Sequence, residues 1–203
     1  MTGPGGSPSA GAVRRPGAIL LTPGAGAGRD HHTLVAVQQE VAPLPCLRMD
    51  FPYRLAGRRA PDRAPVAVAH LVQRAEEFVD ELGLSPDRLV LGGRSYGGRM
   101  CSIAVAQGLP AAGLVLLSYP LHPPGRPEKL RVDHFPEIHV PVLFVSGEKD
   151  PFGSPAEFAE QTPRINGPVT QIWIPGAHDP RGGDQLIAAG VGSWLLSLGS
   201  QAP

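Results

Sequence analysis

The chain has little of several things, and each scarcity closes off a class of function. It has no net charge, since 18 lysines and arginines stand against 18 aspartates and glutamates in 203 residues. That balance argues against nucleic acid or an anionic membrane as the main partner. It has two cysteines, Cys46 and Cys101, both in apolar surroundings. They read as reduced core residues of a cytoplasmic protein rather than as a disulfide. No spacing resembles a zinc or iron–sulfur site, so neither a metal nor a cofactor is expected. No apolar run is long enough to span a membrane. Arg14-Arg15 ahead of Ala18-Ile-Leu-Leu imitates a twin-arginine signal, but the run is too short for a signal's apolar region. No internal repeat is visible.

Glycine (26) and proline (24) are abundant, so loops are many and stiff. Residues 1–16, rich in Gly, Pro, Ser and Ala, read as a flexible tail. Residues 17–203 suffice for one domain with a real core. Short apolar runs mark six strands: Ala18–Thr22, Pro45–Asp50, Leu89–Gly92, Gly113–Ser118, Pro141–Ser146 and Val169–Ile174. Helices alternate with them. Asp30 or Thr33 can cap one that runs to about Val41. Val68, Leu71, Val72, Ala75, Phe78, Val79 and Leu82 share one face of a second, which Gly83 ends. A third follows Ser95 and stops at Gly108, a short one runs from Ser154 to about Gln161, and the last spans about Gly183 to Leu198. Strands alternating with helices predict an α/β fold: a doubly wound parallel six-stranded sheet with right-handed crossovers, in the order 2-1-3-4-5-6. Sites in such sheets lie at the carboxyl ends of the strands.

The chemistry centres on Gly93-Arg94-Ser95-Tyr96-Gly97, a G-x-S-x-G motif between strand three and a helix. A sharp turn there lifts the serine hydroxyl above the sheet, and the small residues permit close packing. Strand five runs into Asp150 and strand six into His178. The order Ser95, Asp150, His178 is that of a nucleophile, an acid and a base on this architecture. His178 would take the Ser95 proton, and Asp150 would orient the imidazole. Asp150 before Pro151 also suits a helix cap, and Glu148 or Asp179 are alternative acids. The Gly-rich loop Pro23–Gly28 lacks the G-K-[ST] ending of a phosphate-binding loop. It reads better as half of an oxyanion hole, in which the backbone N–H groups of Ala25 and Tyr96 face one carbonyl oxygen.

Around this site, His31, Tyr53, Arg94 and Phe152 are candidate substrate contacts, although Tyr53 and Phe152 equally suit buried packing. Arg99 reads as pairing with a surface carboxylate. Arg54, Arg58 and Arg59 either attract an acidic substrate or pair locally with Asp62. The twenty or so residues from Tyr119 to His139 are too few for a cap domain, which predicts an open, shallow site.

The Gly-Ala-Gly-Ala-Gly loop, Asp50-Phe-Pro-Tyr53, the elbow Gly-Gly-Arg-Ser-Tyr-Gly-Gly-Arg, Tyr119-Pro-Leu-His-Pro-Pro and Gly147-Glu-Lys-Asp-Pro-Phe-Gly together resemble a group of small α/β-hydrolases. These are similar to dienelactone hydrolases and to the hydrolase-like domain of some chromatin-complex subunits. The resemblance runs from Ala18 to Leu198 and implies an α/β-hydrolase fold without a cap and a triad at Ser95, Asp150 and His178. Two departures stand out: Pro23 occupies a position where relatives often carry histidine, and the two strands that usually precede strand one are missing. Dienelactone hydrolases proper use a cysteine nucleophile, so lactone specificity does not transfer. The expectation is a serine hydrolase for an ester, thioester or amide of a small acyl substrate, with no cofactor. A non-catalytic interaction module and a haloperoxidase-like activity on the same triad are the alternatives.

Overall fold

The computed structural model describes residues 15–199; most of the expected tail, residues 1–14, lies outside them. Six strands form one all-parallel sheet. They are β1 (Ala18–Thr22), β2 (Cys46–Arg48), β3 (Leu89–Arg94), β4 (Gly113–Leu117), β5 (Val142–Gly147) and β6 (Val169–Ile174). Their order is β2-β1-β3-β4-β5-β6, as the alternating pattern predicts. The four inner strands are buried on both faces, whereas β2 and β6 are edges and partly exposed. That difference explains why β2 is shorter than its apolar run: Met49 makes one further bond to Leu21, and the pairing then stops.

Side chains alternate between two cores because successive strand residues face opposite ways. Leu20, Leu91, Leu116 and Phe144 face α3 (Ala64–Glu81) and α4 (Tyr96–Ala106). Leu21, Val90, Val115 and Val145 face α1 (His32–Glu40) and α6 (Asp184–Gly199). On α3, Ala67, Val68, Leu71, Ala75, Phe78 and Val79 are buried, but Leu82 is 41% exposed. It sits at the helix end, where Gly83 (φ 59°) turns the chain away through Gly83 N–H to Asp80 and Leu84 N–H to Val79. The α1 cap is neither Asp30 nor Thr33: His31 Nδ1 accepts from the Thr33 N–H at 3.3 Å. Of two further short elements, the first lies in a stretch expected to be loop and the second is the short helix expected after Ser154. Pro52–Leu55 forms a single turn, α2, and Pro155–Gln161 forms α5, capped by Ser154 and Glu157 in a reciprocal box.

Between β4 and β5 no α-helix forms. The strap of residues 118–141 carries only a 3₁₀ turn at Phe135–Glu137 and packs on α4. Its anchor is His134, whose Nε2 lies 2.7 Å from Ser102 Oγ. Burial, and then the Arg99 cation, lower the His134 pKa from an ordinary 6.5 to about 4, with Asp133 opposing. The folded protein therefore keeps His134 neutral where the unfolded chain takes up a proton. Above about pH 6.5 this group costs nothing. As pH falls from there toward about 4, stability should drop by up to about 1.4 kcal/mol per pH unit from this group alone. Urea unfolding across that window should show a slope that His134→Gln reduces. Parallel slopes for the two proteins would contradict the assignment.

Candidate active site

The end of β3 and the start of α4 meet at Ser95, which adopts φ 51° and ψ −115°. A non-glycine residue with positive φ is strained, and such strain persists only when the surroundings hold it. Here the holding contacts are backbone against backbone. Ser95 N–H donates to Leu117 O at 2.8 Å. A Cβ on Gly93 would lie 2.6 Å from the Gly98 nitrogen, and one on Gly97 2.5 Å from the Pro23 carbonyl. Neither position admits a side chain, so β1, β3 and α4 cross closely enough to fix the turn.

Three strand ends converge above it. Ser95 Oγ lies 2.9 Å from His178 Nε2, and His178 Nδ1 lies 3.0 and 2.8 Å from the two carboxylate oxygens of Asp150. Asp150 is 5% exposed and accepts a further bond from the Phe152 N–H at 2.9 Å. An ionised carboxylate only accepts, so Nδ1 carries the proton and Nε2 is left to accept from the Ser95 hydroxyl. Of the alternative acids, Glu148 is exposed, and Asp179 Oδ1 is bound by Arg94 at 2.8 Å.

Tyr96 directly follows Ser95, and Ala25 lies in the Gly-rich loop after β1. Gly24 passes close enough that a Cβ there would lie 3.6 Å from Ser95 Cβ. Among the described residues, neither the Ala25 nor the Tyr96 N–H donates to another group. The loop is propped from behind by Tyr53, whose Oη donates to Ala25 O at 2.7 Å, while Tyr96 Oη donates to Asp62 O at 2.7 Å. Burial raises both phenol pKa values, that of Tyr96 to about 12, so both stay protonated donors.

The four expected substrate contacts separate. Phe152 lies on the imidazole of His178, ring centroids 4.1 Å apart. Tyr53 is fully buried and shores up the Ala25 loop, so it offers substrate no surface. Arg94 is also buried. Its Nη2 donates to His178 O at 2.9 Å and to Asp179, so it clamps the histidine loop instead of facing substrate. His31 caps α1, stacks on His32 at 4.1 Å and approaches Asp179 at 3.7 Å. His31, His32 and Asp179 bring ligand atoms within 4.8 Å of one another. The guanidinium already on Asp179 suits them poorly to a metal ion. Arg58 pairs with Asp62 at 2.6 Å, the local pairing that the sequence allows. The expected carboxylate on Arg99 is absent among the described residues. A cavity of about 920 Å³, lined by Arg15, Pro43 and Leu196, belongs to another part of the surface and includes no residue of this cluster.

The Arg94 clamp and the Tyr53 prop escaped sequence reasoning because each joins residues far apart in the chain. Arg94→Gln should raise amide hydrogen exchange in residues 176–180 by about tenfold while leaving the strands protected. Unchanged exchange there would mean that the loop holds His178 without the clamp.

A family model described as an alpha/beta hydrolase domain matches residues 15–181. Similar solved structures include a dienelactone hydrolase from Anabaena variabilis, with TM-score 0.72 and 19% identity over 90% of this chain and 86% of that one. Est1E from Butyrivibrio proteoclasticus, bound to ferulic acid, gives TM-score 0.68 and 15% identity over 94% of this chain and 92% of that one. A Bacillus cereus carboxylesterase gives 0.64 and 16%, over 90% and 89%.

Proposed function

The chain belongs to the alpha/beta hydrolase domain family, and from that premise we propose that it is a serine hydrolase working through an acyl-enzyme. The observation that carries the reading is the relay Ser95 Oγ–His178 Nε2 at 2.9 Å and His178 Nδ1–Asp150 at 2.8 Å. Ser95 Oγ attacks the carbonyl carbon of an ester, thioester or amide while its proton passes to His178 Nε2. The carbonyl oxygen gathers negative charge between the Ala25 and Tyr96 N–H groups, which among the described residues have no other acceptor to give up. Asp150 stabilises the imidazolium, which then protonates the leaving group. Water, deprotonated by His178, releases the acid and restores the Ser95 hydroxyl.

The esterases among the similar structures support the class of reaction, and the strap's lack of a cap domain supports a small acyl group. In a shallow site each added CH₂ contributes at most about 0.8 kcal/mol, so kcat/KM across p-nitrophenyl esters should rise little beyond short chains. Ser95→Ala should lower kcat by roughly four orders of magnitude or more with the fold intact. Ester turnover retained in that variant would refute the nucleophile. An absence of turnover in both proteins would favour an interaction module.

A further inference from the structure

The strap over α4 holds a pair of cations without anions. Among the described residues six arginines are partly or wholly buried, and four have partners: Arg48 with Asp30, Arg74 with Glu77, Arg94 with Asp179 and Arg88 with a main-chain carbonyl. The other two are Arg99 and Arg131. Among the described residues neither guanidinium has a hydrogen-bond or ion-pair partner, and Arg99 Nε is buried outright. Their main chains are tied together through neutral groups. Ser102 Oγ bonds Arg99 O at 2.9 Å and His134 Nε2 at 2.7 Å, and Tyr119 Oη donates to Arg131 O at 3.0 Å while lying 3.5 Å from His134 Nε2.

We propose that Arg99 and Arg131 form a receptor for a carboxylate on the substrate's acyl group, so that the hydrolase prefers half-esters of short dicarboxylic acids. This rests on the Ser95 reading for its chemistry, and its position follows from the fold. Arg99 lies one turn beyond Ser95, its N–H bonded to Ser95 O at 3.1 Å. Side chains on a helix lean toward its N-terminus, here the nucleophile end. A helical turn spans about 5.4 Å, which suits a carboxylate three or four carbons from the reacting carbonyl. Arg131 sits on a strap that leaves the carboxyl end of β4 and is anchored at two points. His134 fixes it to α4, and His122 N–H donates to Phe152 O, beside Asp150, at 3.2 Å. Arg131 N–H in turn donates to Leu121 O at 2.7 Å.

The electrostatics agree with this placement. Burial and then the Arg99 charge lower the pKa of Arg131, and the same Arg99 charge acts on Tyr119, His134 and the elbow residue Tyr96. Tyr119 is pushed up to about 12 and His134 down to about 4, so both are neutral and supply no counter-charge. Asp133, beside His134, is exposed and pairs with neither arginine. Two like charges held together in neutral surroundings repel. A carboxylate between them replaces that repulsion with charge-assisted bonds, for which planar guanidinium groups are well shaped.

The test compares mono-p-nitrophenyl glutarate with p-nitrophenyl pentanoate, which have equal chain lengths and differ in one charge. The wild type should favour the glutarate in kcat/KM by at least about tenfold at low salt, and the preference should shrink as salt rises. Arg131→Gln and Arg99→Gln should each lower the glutarate-to-pentanoate ratio about tenfold, and Arg131→Lys by less. A wild-type ratio near one, or a ratio that survives Arg131→Gln, overturns the proposal. Free glutarate should also raise the melting temperature of Ser95→Ala, and not of Ser95→Ala with Arg131→Gln. This binding arm decides the receptor even where no ester is turned over, so failure of the nucleophile and failure of the receptor are told apart.

Discussion

The close crossing of β1, β3 and α4 at Thr22, Gly93 and Gly97 is the constraint on which the site depends. Backbone approaches so near that no Cβ fits leave the chain one way through Ser95, with φ 51°. The strain of that conformation is held by the sheet through the Ser95–Leu117 bond, and by the helix, whose first turn begins at Tyr96. Everything that surrounds the hydroxyl follows from this. The first N–H of α4, that of Tyr96, has no acceptor among the described residues, the Gly-rich loop after β1 runs past at van der Waals distance, and the neighbouring strand ends are available to carry partners.

Those partners sit on loops, which by themselves would not hold an imidazole to a few tenths of an ångström. The structure supplies a bracket for each. Arg94, the last residue of β3, reaches the His178 carbonyl and the Asp179 carboxylate, so the strand that sets the serine also sets the histidine. Asp150 is held by the Phe152 N–H, and Phe152 covers the imidazole. Tyr53 fixes Ala25 from within the core. The pieces proposed to react therefore stand on rigid elements through buried bonds, which favours preorganisation over adjustment on binding.

Much of this was legible in sequence because it is periodic or local. Apolar runs at regular spacing gave six strands and their order, and G-x-S-x-G between a strand and a helix marked the turn. Asp150 and His178 stood out because each lies a few residues past the end of a strand. The rest depends on long-range contact. Arg94 looked like a substrate contact because its position beside Ser95 says nothing of Asp179, 85 residues away. Tyr53 suited a substrate contact and buried packing equally, because an aromatic in a Pro-rich loop does not announce that the loop folds inward. Arg99 was expected to have a carboxylate, and only the packed strap reveals instead a second arginine and a neutral histidine. Strand ends moved by a residue or two for a similar reason, since edge exposure and neighbouring register decide where pairing stops.

The central claim is that the Ser95 oxygen is a nucleophile, and a covalent adduct tests it without reference to any substrate. A fluorophosphonate should add once per chain, and peptide mass mapping should locate the adduct on Ser95. His178→Ala should slow labelling by at least about a hundredfold. An unlabelled chain, an adduct on another residue, or labelling indifferent to His178 would contradict the account.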